Sequence, residues 1–342
     1  MPHRDYQRHE RRVDRTLTAI NAGAVTSGET TPATPQKPWV GVDENGLGPR
    51  LGPLVATACT LSVRELDVEK ARALGARLGI EDSKVSSGFG SMAHAEGLAL
   101  AIAEEALGRP PMHADDVLAA LSLDDVPALR APCPSSTRAQ CWGDLPVPAF
   151  GGKLAHGQQL LRALSASKTE ARVVRVRTAV LCAKTYNEAL VRLTSKLVVD
   201  LELFERLVLD AREAAGADVI ATCGMVGGIR KYQSRFQHFD LSRTTMIEEV
   251  KGRSAYRIEG VGDVSFEVDA DAHALPVAIA SMVGKYIREL LMARLNQFYR
   301  GHDATLTNVS GYHDPVTGRF VEATRLLRQK LDIAPICFER NG

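Results

Sequence analysis

The chain has 342 residues, enough for one large core or two modest ones, and its 45% hydrophobic and 24% charged content is that of an ordinary globular protein. Lys and Arg number 42 against 41 Asp and Glu, a net charge of +1, so any footprint for a polyanion must be local. The six cysteines, at 59, 133, 141, 182, 223 and 337, are scattered with no C-x-x-C pair, which argues against a zinc site or a disulfide scaffold.

The N-terminus "MPHRDYQRHERRVDRTL" carries charges where a signal peptide needs an apolar stretch, and no apolar run of about 18 residues follows. A reducing, cytoplasmic location with no membrane span is the expectation. Residues 1 to 37 end in "GAVTSGETTPATPQKP", too poor in large apolar groups to offset ordering entropy. They read as a disordered tail with room for a short helix around 8 to 20, and 38–342 as the folded domain.

"KPWVGVD" and "GPLVATACTLSV" are β-branched apolar runs that pair around "ENGLGPRL". "VRELDVEKARALGARLG" and the Ala-rich "SMAHAEGLALAIAEEALG" have helical spacing and Gly stops, with the polar loop "IEDSKVSSGFG" between them. Pro, Ser and Gly crowd residues 123 to 155, which predicts a surface insertion with little regular structure.

"EARVVRVRTAVLCA" alternates as a strand with one wet face, followed by one long helix through "YNEALVRLTSKLVVDLELFERLVLDAREA" to Gly216. "ADVIATCG", "SAYRIEG" and "VSFEVDAD" are further strands, and "LPVAIASMVGKYIRELLMARLNQF" is a helix with Pro in its first turn. Strands that first run together and then alternate with helices predict an α/β fold, a mixed central sheet flanked by helices, with a helical C-terminal region.

Asp43 and Glu44 stand between an apolar run and a Gly/Pro-rich turn. Acidic residues before Asn-Gly are also a strong turn signal, so alone they read first as a turn apex. The combination G-V-D-E-x-G-x-G-P, however, resembles the N-terminal signature of type 2 ribonuclease H, the RNase HII family. "EDSKVS" at 81–86 resembles that family's Asp-Ser-Lys motif. "DADAHALPVAIASMVGKYIREL" is similar to its acidic residue followed by a helix, and "GYHDPVTGRF" from 311 to its Gly-Tyr segment. The four motifs keep the family's order across 39 to about 320, while about 88–168 matches nothing and reads as an insertion.

The resemblance implies an RNase H-like fold. It also implies endonucleolytic cleavage of RNA/DNA hybrids, or of ribonucleotides embedded in duplex DNA, on the 5′ side of the ribonucleotide, with two Mg²⁺ or Mn²⁺ ions about 4 Å apart. Hard cations take oxygen ligands, and converging carboxylates repel unless a cation compensates. Asp43, Glu44 and Asp271 match the family's acidic positions and are the expected catalytic and metal-ligating residues. Asp269, two positions from Asp271, would share its face if the segment is extended. Using both Asp43 and Glu44 requires the strand to end or twist there, which Gly46 makes easy.

By the same resemblance the backbones of Gly46 and Gly48 approach the ribonucleotide and Tyr312 stacks on a neighbouring sugar. Lys84, Lys285 and Arg288 contact phosphates, and "GGIRKYQSR" adds a local basic patch of Arg230, Lys231 and Arg235. His273 and His313 invite an acid or base role that the family motif does not fix, and Ser83 reads as a hydrogen-bonding residue. The protein is expected to act as a monomer.

Two positions depart from the family. Its third carboxylate should close the strand "DVIATCG", where Cys223 or Gly224 stands depending on register; water, Asp218, Glu248 or Glu249 would have to compensate. Leu47 replaces the Arg or Lys usual between the glycines of the loop. A relative that keeps fold and hybrid binding without turnover is therefore the alternative.

Overall fold

The computed structural model describes residues 37–64, 66–80 and 92–341. Lys84, Ser83 and the rest of the Asp-Ser-Lys motif lie outside the described residues, as does the expected helix at 8 to 20.

Seven strands form one sheet in the order β3-β2-β1-β4-β7-β6-β5. They are β1 Lys37–Asn45, β2 Leu54–Val63, β3 Arg172–Leu181, β4 Val219–Gly224, β5 Thr244–Val250, β6 Arg253–Ile258 and β7 Gly262–Glu267. β1, β2 and β3 are an antiparallel meander; β4 pairs parallel to β1 and β7 parallel to β4; β6 and β5 continue antiparallel to the far edge. With helices on both faces this is the mixed α/β architecture expected from the alternation of elements.

Side chains alternate across β1 and so divide the core. Val40 and Val42 join Phe204, Leu207 and Val208 of a helix at Lys196–Ala215, which we label α8. Trp39 faces the opposite cluster, which holds α2 (Met92–Leu107), α6 (Leu154–Ser165) and α9 (Leu275–His302). Gly41 lets α9 lie directly on the strand, because a Cβ there would stand 2.1 Å from the Val277 nitrogen. A third, smaller cluster ties Leu51, Met292 and Tyr299 to Phe320, Ile333 and Phe338 of the C-terminal segment.

Four expectations need correction. The helix drawn from Tyr186 to Ala215 is two, α7 (Ala183–Leu193) and α8, broken at Thr194, whose backbone is left-handed at φ 57°. β5 was not anticipated: at the edge, Thr245, Met246 and Ile247 are all exposed, so no alternation marks it. Residues 123 to 155 do contain two short helices, α4 (Val126–Arg130) and α5 (Arg138–Trp142). That stretch is also not merely superficial. Fully buried Gln140 donates to the Cys337 carbonyl at 2.9 Å and accepts from the Tyr299 hydroxyl at 2.8 Å. Among the described residues no helix is long and apolar enough to cross a membrane.

Candidate active site

The parallel strands β1, β4 and β7 end on one side, where open α/β sheets present their ligand crevices. A cleft of about 750 Å³ lies there. Asp43, Glu44 and Gly46 enter from β1, Gly224 and Gly227 from β4, Glu267, Asp269 and Asp271 from β7, and Lys285, Arg288 and Glu289 from α9. Tyr312 and Ser310 close one wall and Phe150 another. Segments more than 200 residues apart in sequence thus meet in one concavity.

Asp43 is strongly perturbed as an acid. Burial raises its pKa well above the usual carboxylate value, and the charges of Glu44 and Asp271 raise it further, while hydrogen bonds from the Ser281 side chain and the Glu44 amide oppose the shift. The strand does not end at these acids; it runs on to Asn45, paired with Val55, and turns at Gly46 with φ 96°. Asp43 therefore faces α9, whereas Glu44 belongs to the other face, where Asp200 of α8 feels its charge most strongly.

Asp200 is a residue that sequence reasoning missed. It is fully buried, neither carboxylate oxygen has a hydrogen-bond partner, and burial followed by the charges of Glu44 and Asp43 pushes its pKa well up. In the sequence it is one acid among several in an amphipathic helix, and only the break at Thr194 sets its phase.

The register resolves the place of the third carboxylate. Val42 pairs with Cys223, and Gly224 comes next, beside Asp43: a Cβ on Gly224 would stand 2.8 Å from Asp43 Oδ1. Cys223 points into the core, fully buried, and burial pushes its thiol far up. Glu267 stands opposite Gly224 in register and lines the cleft, a second acid that sequence reasoning missed although "SFEVD" contains it. It receives hydrogen bonds from Arg253 Nε at 2.9 Å and His273 Nε2 at 2.8 Å. Burial alone would raise its pKa, but bonds from Ser265, His273 and Arg253 hold it below the ordinary value.

None of the three side chains proposed as substitutes is placed at the gap. Asp218 is exposed just before β4 begins, at the end remote from Gly224. Glu248 pairs with Arg253 on the far edge of the sheet, and Glu249 accepts from the Tyr256 hydroxyl at 2.7 Å. Asp269 does not share an extended face with Asp271, because its backbone is left-handed at φ 49° and Ala270–Ala272 form a 3-10 turn. Both nonetheless line the cleft.

Of the basic residues, Lys285 lines the cleft. Arg288 is 2% exposed, donates to Glu289 at 2.6 Å and to the Ser310 carbonyl at 2.8 Å, and carries the Tyr312 ring over its guanidinium at 5.1 Å. Two of its nitrogens brace the wall, while Nε of this cleft-lining side chain has no hydrogen-bond partner. Tyr312 itself is 49% exposed. Arg230, Lys231 and Arg235 are exposed on the turn after β4 but are not among the cleft's lining, and His313 is exposed outside it.

In the glycine loop a Cβ at Gly48 would meet nothing within 4 Å, whereas one at Gly46 would press on Arg288 Nε at 2.7 Å. Leu47 packs partly against the α8 side of the core. The Leu47 and Pro49 carbonyls turn inward to Arg340, with Nη2 to Leu47 O at 3.2 Å and Nε to Pro49 O at 3.0 Å. Burial pushes the pKa of Arg340 down to about 10. The sequence offers no signal for this partnership across nearly the whole chain.

Among the described residues no group of three or more His, Cys, Asp or Glu side chains is arranged to hold a metal ion. The donor chemistry nevertheless suits a hard cation, since Asp43 is destabilised as an anion by neighbours that a cation would neutralise.

Fold and site together define a mixed α/β protein with an acidic cleft at the carboxyl ends of its parallel strands. Neither a protein-family model nor a curated protein matches the sequence. In structure the chain is similar to RNase HII of Archaeoglobus fulgidus, solved in complex with PCNA, at 17% identity over 88% of this chain and 93% of that one with a TM-score of 0.43. It is similar to Bst-RNase HIII in complex with Mn²⁺ at 15% identity, over 93% and 74%, TM-score 0.48. It is also similar to ribonuclease H2 of Pyrococcus horikoshii OT3 at 17%, over 88% and 92%, TM-score 0.44.

Proposed function

We propose that this chain is an RNase HII-like endonuclease acting on RNA/DNA hybrids or on ribonucleotides embedded in duplex DNA by divalent-cation-dependent phosphodiester hydrolysis. The observation that carries the reading is convergence: Asp43, Glu44, Asp271, Lys285 and Tyr312, singled out from three separate motifs, line one cleft.

Asp43 and Asp271 would hold Mg²⁺ or Mn²⁺ with water completing the shell, and Glu44, on the other face of β1 but lining the same cleft, would join from the end of the strand before Gly46. A bound ion would supply an activated water and neutralise charge on the leaving oxygen. Lys285 offsets the charge of the scissile phosphate. Gly48, open on its outer side, lets a backbone approach closely enough to read a 2′-hydroxyl. Tyr312, half exposed with the Arg288 guanidinium beside its ring, offers a stacking face to the adjacent sugar.

A second reading has an observation of its own. Gly224 leaves the third acidic position empty, which favours a protein that binds hybrid without cutting it. The two are separated with duplex DNA containing a single ribonucleotide, in Mg²⁺ and in Mn²⁺, using wild type beside Gly224→Asp. The new side chain must displace Asp43 Oδ1 by a few tenths of an ångström, which a carboxylate end can do. Nicking by wild type supports the enzyme. Binding without nicking, with nicking restored in Gly224→Asp, establishes the non-cutting relative, and failure of both variants to bind or cut removes either reading.

A further inference from the structure

The stretch at about 88–168 matches none of the four motifs, yet two of its side chains reach the acidic cleft. Met92, at the start of α2, and Phe150, in the loop before α6, both line it. Among the described residues that line the cleft two carry aromatic rings, Tyr312 and Phe150. Tyr312 has a hydroxyl and lies 5.1 Å from the Arg288 guanidinium. Phe150 has no polar atom on its ring, which meets the buried Tyr286 ring at 6.1 Å and 83°.

A buried charge holds the loop that presents Phe150. Glu96 of α2 is fully buried, and its carboxylate accepts from the amides of Ala149 at 2.6 Å, Phe150 at 2.8 Å and Gly152 at 2.7 Å. The approach at Gly152 is so close that a Cβ there would stand 2.6 Å from Glu96 Cγ. Bonds to an ionised acceptor are about twice as strong as neutral ones, so the loop is firmly fixed. Glu96 is not among the cleft's lining, and these three donors are therefore consumed behind the wall. What the loop offers a bound molecule is the half-buried Phe150 ring, to which α2 adds the Met92 thioether.

Such a wall suits a surface that needs no hydrogen bond. In a duplex the base faces are covered by their stacked neighbours and the base edges carry donors and acceptors, so the apolar surface left to meet is that of the sugars. A deoxyribose presents C–H groups there. A ribose presents a 2′-hydroxyl, which loses its water against an apolar wall without gaining a partner.

We propose that Phe150 is a specificity-determining residue that packs on a deoxyribose of the bound duplex and disfavours a ribose at that place, with Glu96 as its positioning residue. Resting on the nuclease reading above, this assignment gives the cleft two opposite demands, a ribose at the scissile site and a deoxyribose against Phe150.

The test is binding by fluorescence anisotropy, with Ca²⁺ in place of Mg²⁺ and again in a chelator, on duplex DNA with one fixed ribonucleotide and a second moved a position at a time along either strand. Wild type should lose about tenfold in affinity when the second hydroxyl falls at one particular position, the scale of one unpaired hydroxyl. Phe150→Ala should remove that penalty, and Phe150→Leu, still apolar, should keep it. Glu96→Gln should blunt it, and adding Glu96→Gln to Phe150→Ala should change the discrimination no further, a coupling that a merely structural role would not give. Phe150 is only half-buried, so its two variants carry the test even where Glu96→Gln fails to fold. Equal affinities at all positions in wild type, or a penalty that survives Phe150→Ala, would overturn the assignment and leave the nuclease reading in place. A penalty untouched in folded Glu96→Gln would overturn the positioning role. No binding by wild type to any ribonucleotide-bearing duplex would remove both this assignment and the reading beneath it.

Discussion

At the scale of single residues, buried carboxylates oppose one another across β1. Asp43 and Asp200 both hold a proton in the folded chain at a pH where the unfolded chain, titrating near 4, has released it. The folded state then binds more protons than the unfolded one, so its advantage is complete below about pH 4 and is lost as the pH rises toward the folded pKa values. Urea unfolding in the presence of a chelator should show stability falling from pH 5 to pH 7. Asp200→Asn should flatten that slope and leave the protein more stable at pH 7 by ~1 kcal/mol or more, since a pKa unit corresponds to about 1.4 kcal/mol. Stability that instead rises through this window would contradict the assignment. Asp43 and Asp271 could be read from the sequence because each sits in a patterned stretch. Asp200 could not, because its neighbour Glu44 is 156 positions away and only the packing of α8 on β1 creates the conflict.

At the scale of elements the glycine loop between β1 and β2 is supported from the far end of the chain. Arg340 gathers the Leu47 and Pro49 carbonyls, and its guanidinium also lies over the Tyr186 ring at 4.5 Å. Hydrogen bonds to a charged donor contribute about 1.5–3 kcal/mol, so Arg340→Ala should cost about 2 kcal/mol in chemical denaturation and raise KM for any substrate that the loop grips. Arg340→Lys should recover little of it, because an ammonium lacks the planar fork. An unchanged denaturation midpoint in Arg340→Ala would show that the loop holds its shape unaided. Most strands and the longest helix, α9, were legible from periodicity and the Pro and Gly signals at their ends. β5 was not, because its exposed edge position removes the alternation, and the break at Thr194 was not, because Leu and Val continue on both sides of it.

At the scale of the whole molecule a net charge of +1 conceals an uneven distribution. The cleft gathers Asp43, Glu44, Glu267, Asp269 and Asp271, while the neighbouring turn exposes Arg230, Lys231 and Arg235. An acidic cleft beside a basic shoulder suits a polyanion held at its flank while one phosphate enters the site. Arg230→Ala should therefore weaken hybrid binding equally for different sequences and lower the slope of log K against log salt by about 1. An unchanged slope, measured by fluorescence anisotropy, would make the patch a solvated face. The run of basic residues was visible in the sequence; that it is exposed and outside the cleft's lining follows only from the turn after β4.

The proposed reaction is hydrolysis of nucleic acid at a ribonucleotide in the cleft around Asp43. The most direct measurement is product mapping on duplex DNA carrying one ribonucleotide, with Mn²⁺, for wild type and Asp43→Asn. Wild type should make a single cut on the 5′ side of the ribonucleotide, and Asp43→Asn should be slower by at least about 100-fold, as expected when a group that organises the reacting charge is removed. Equal cleavage by both proteins would contradict that role for the cleft.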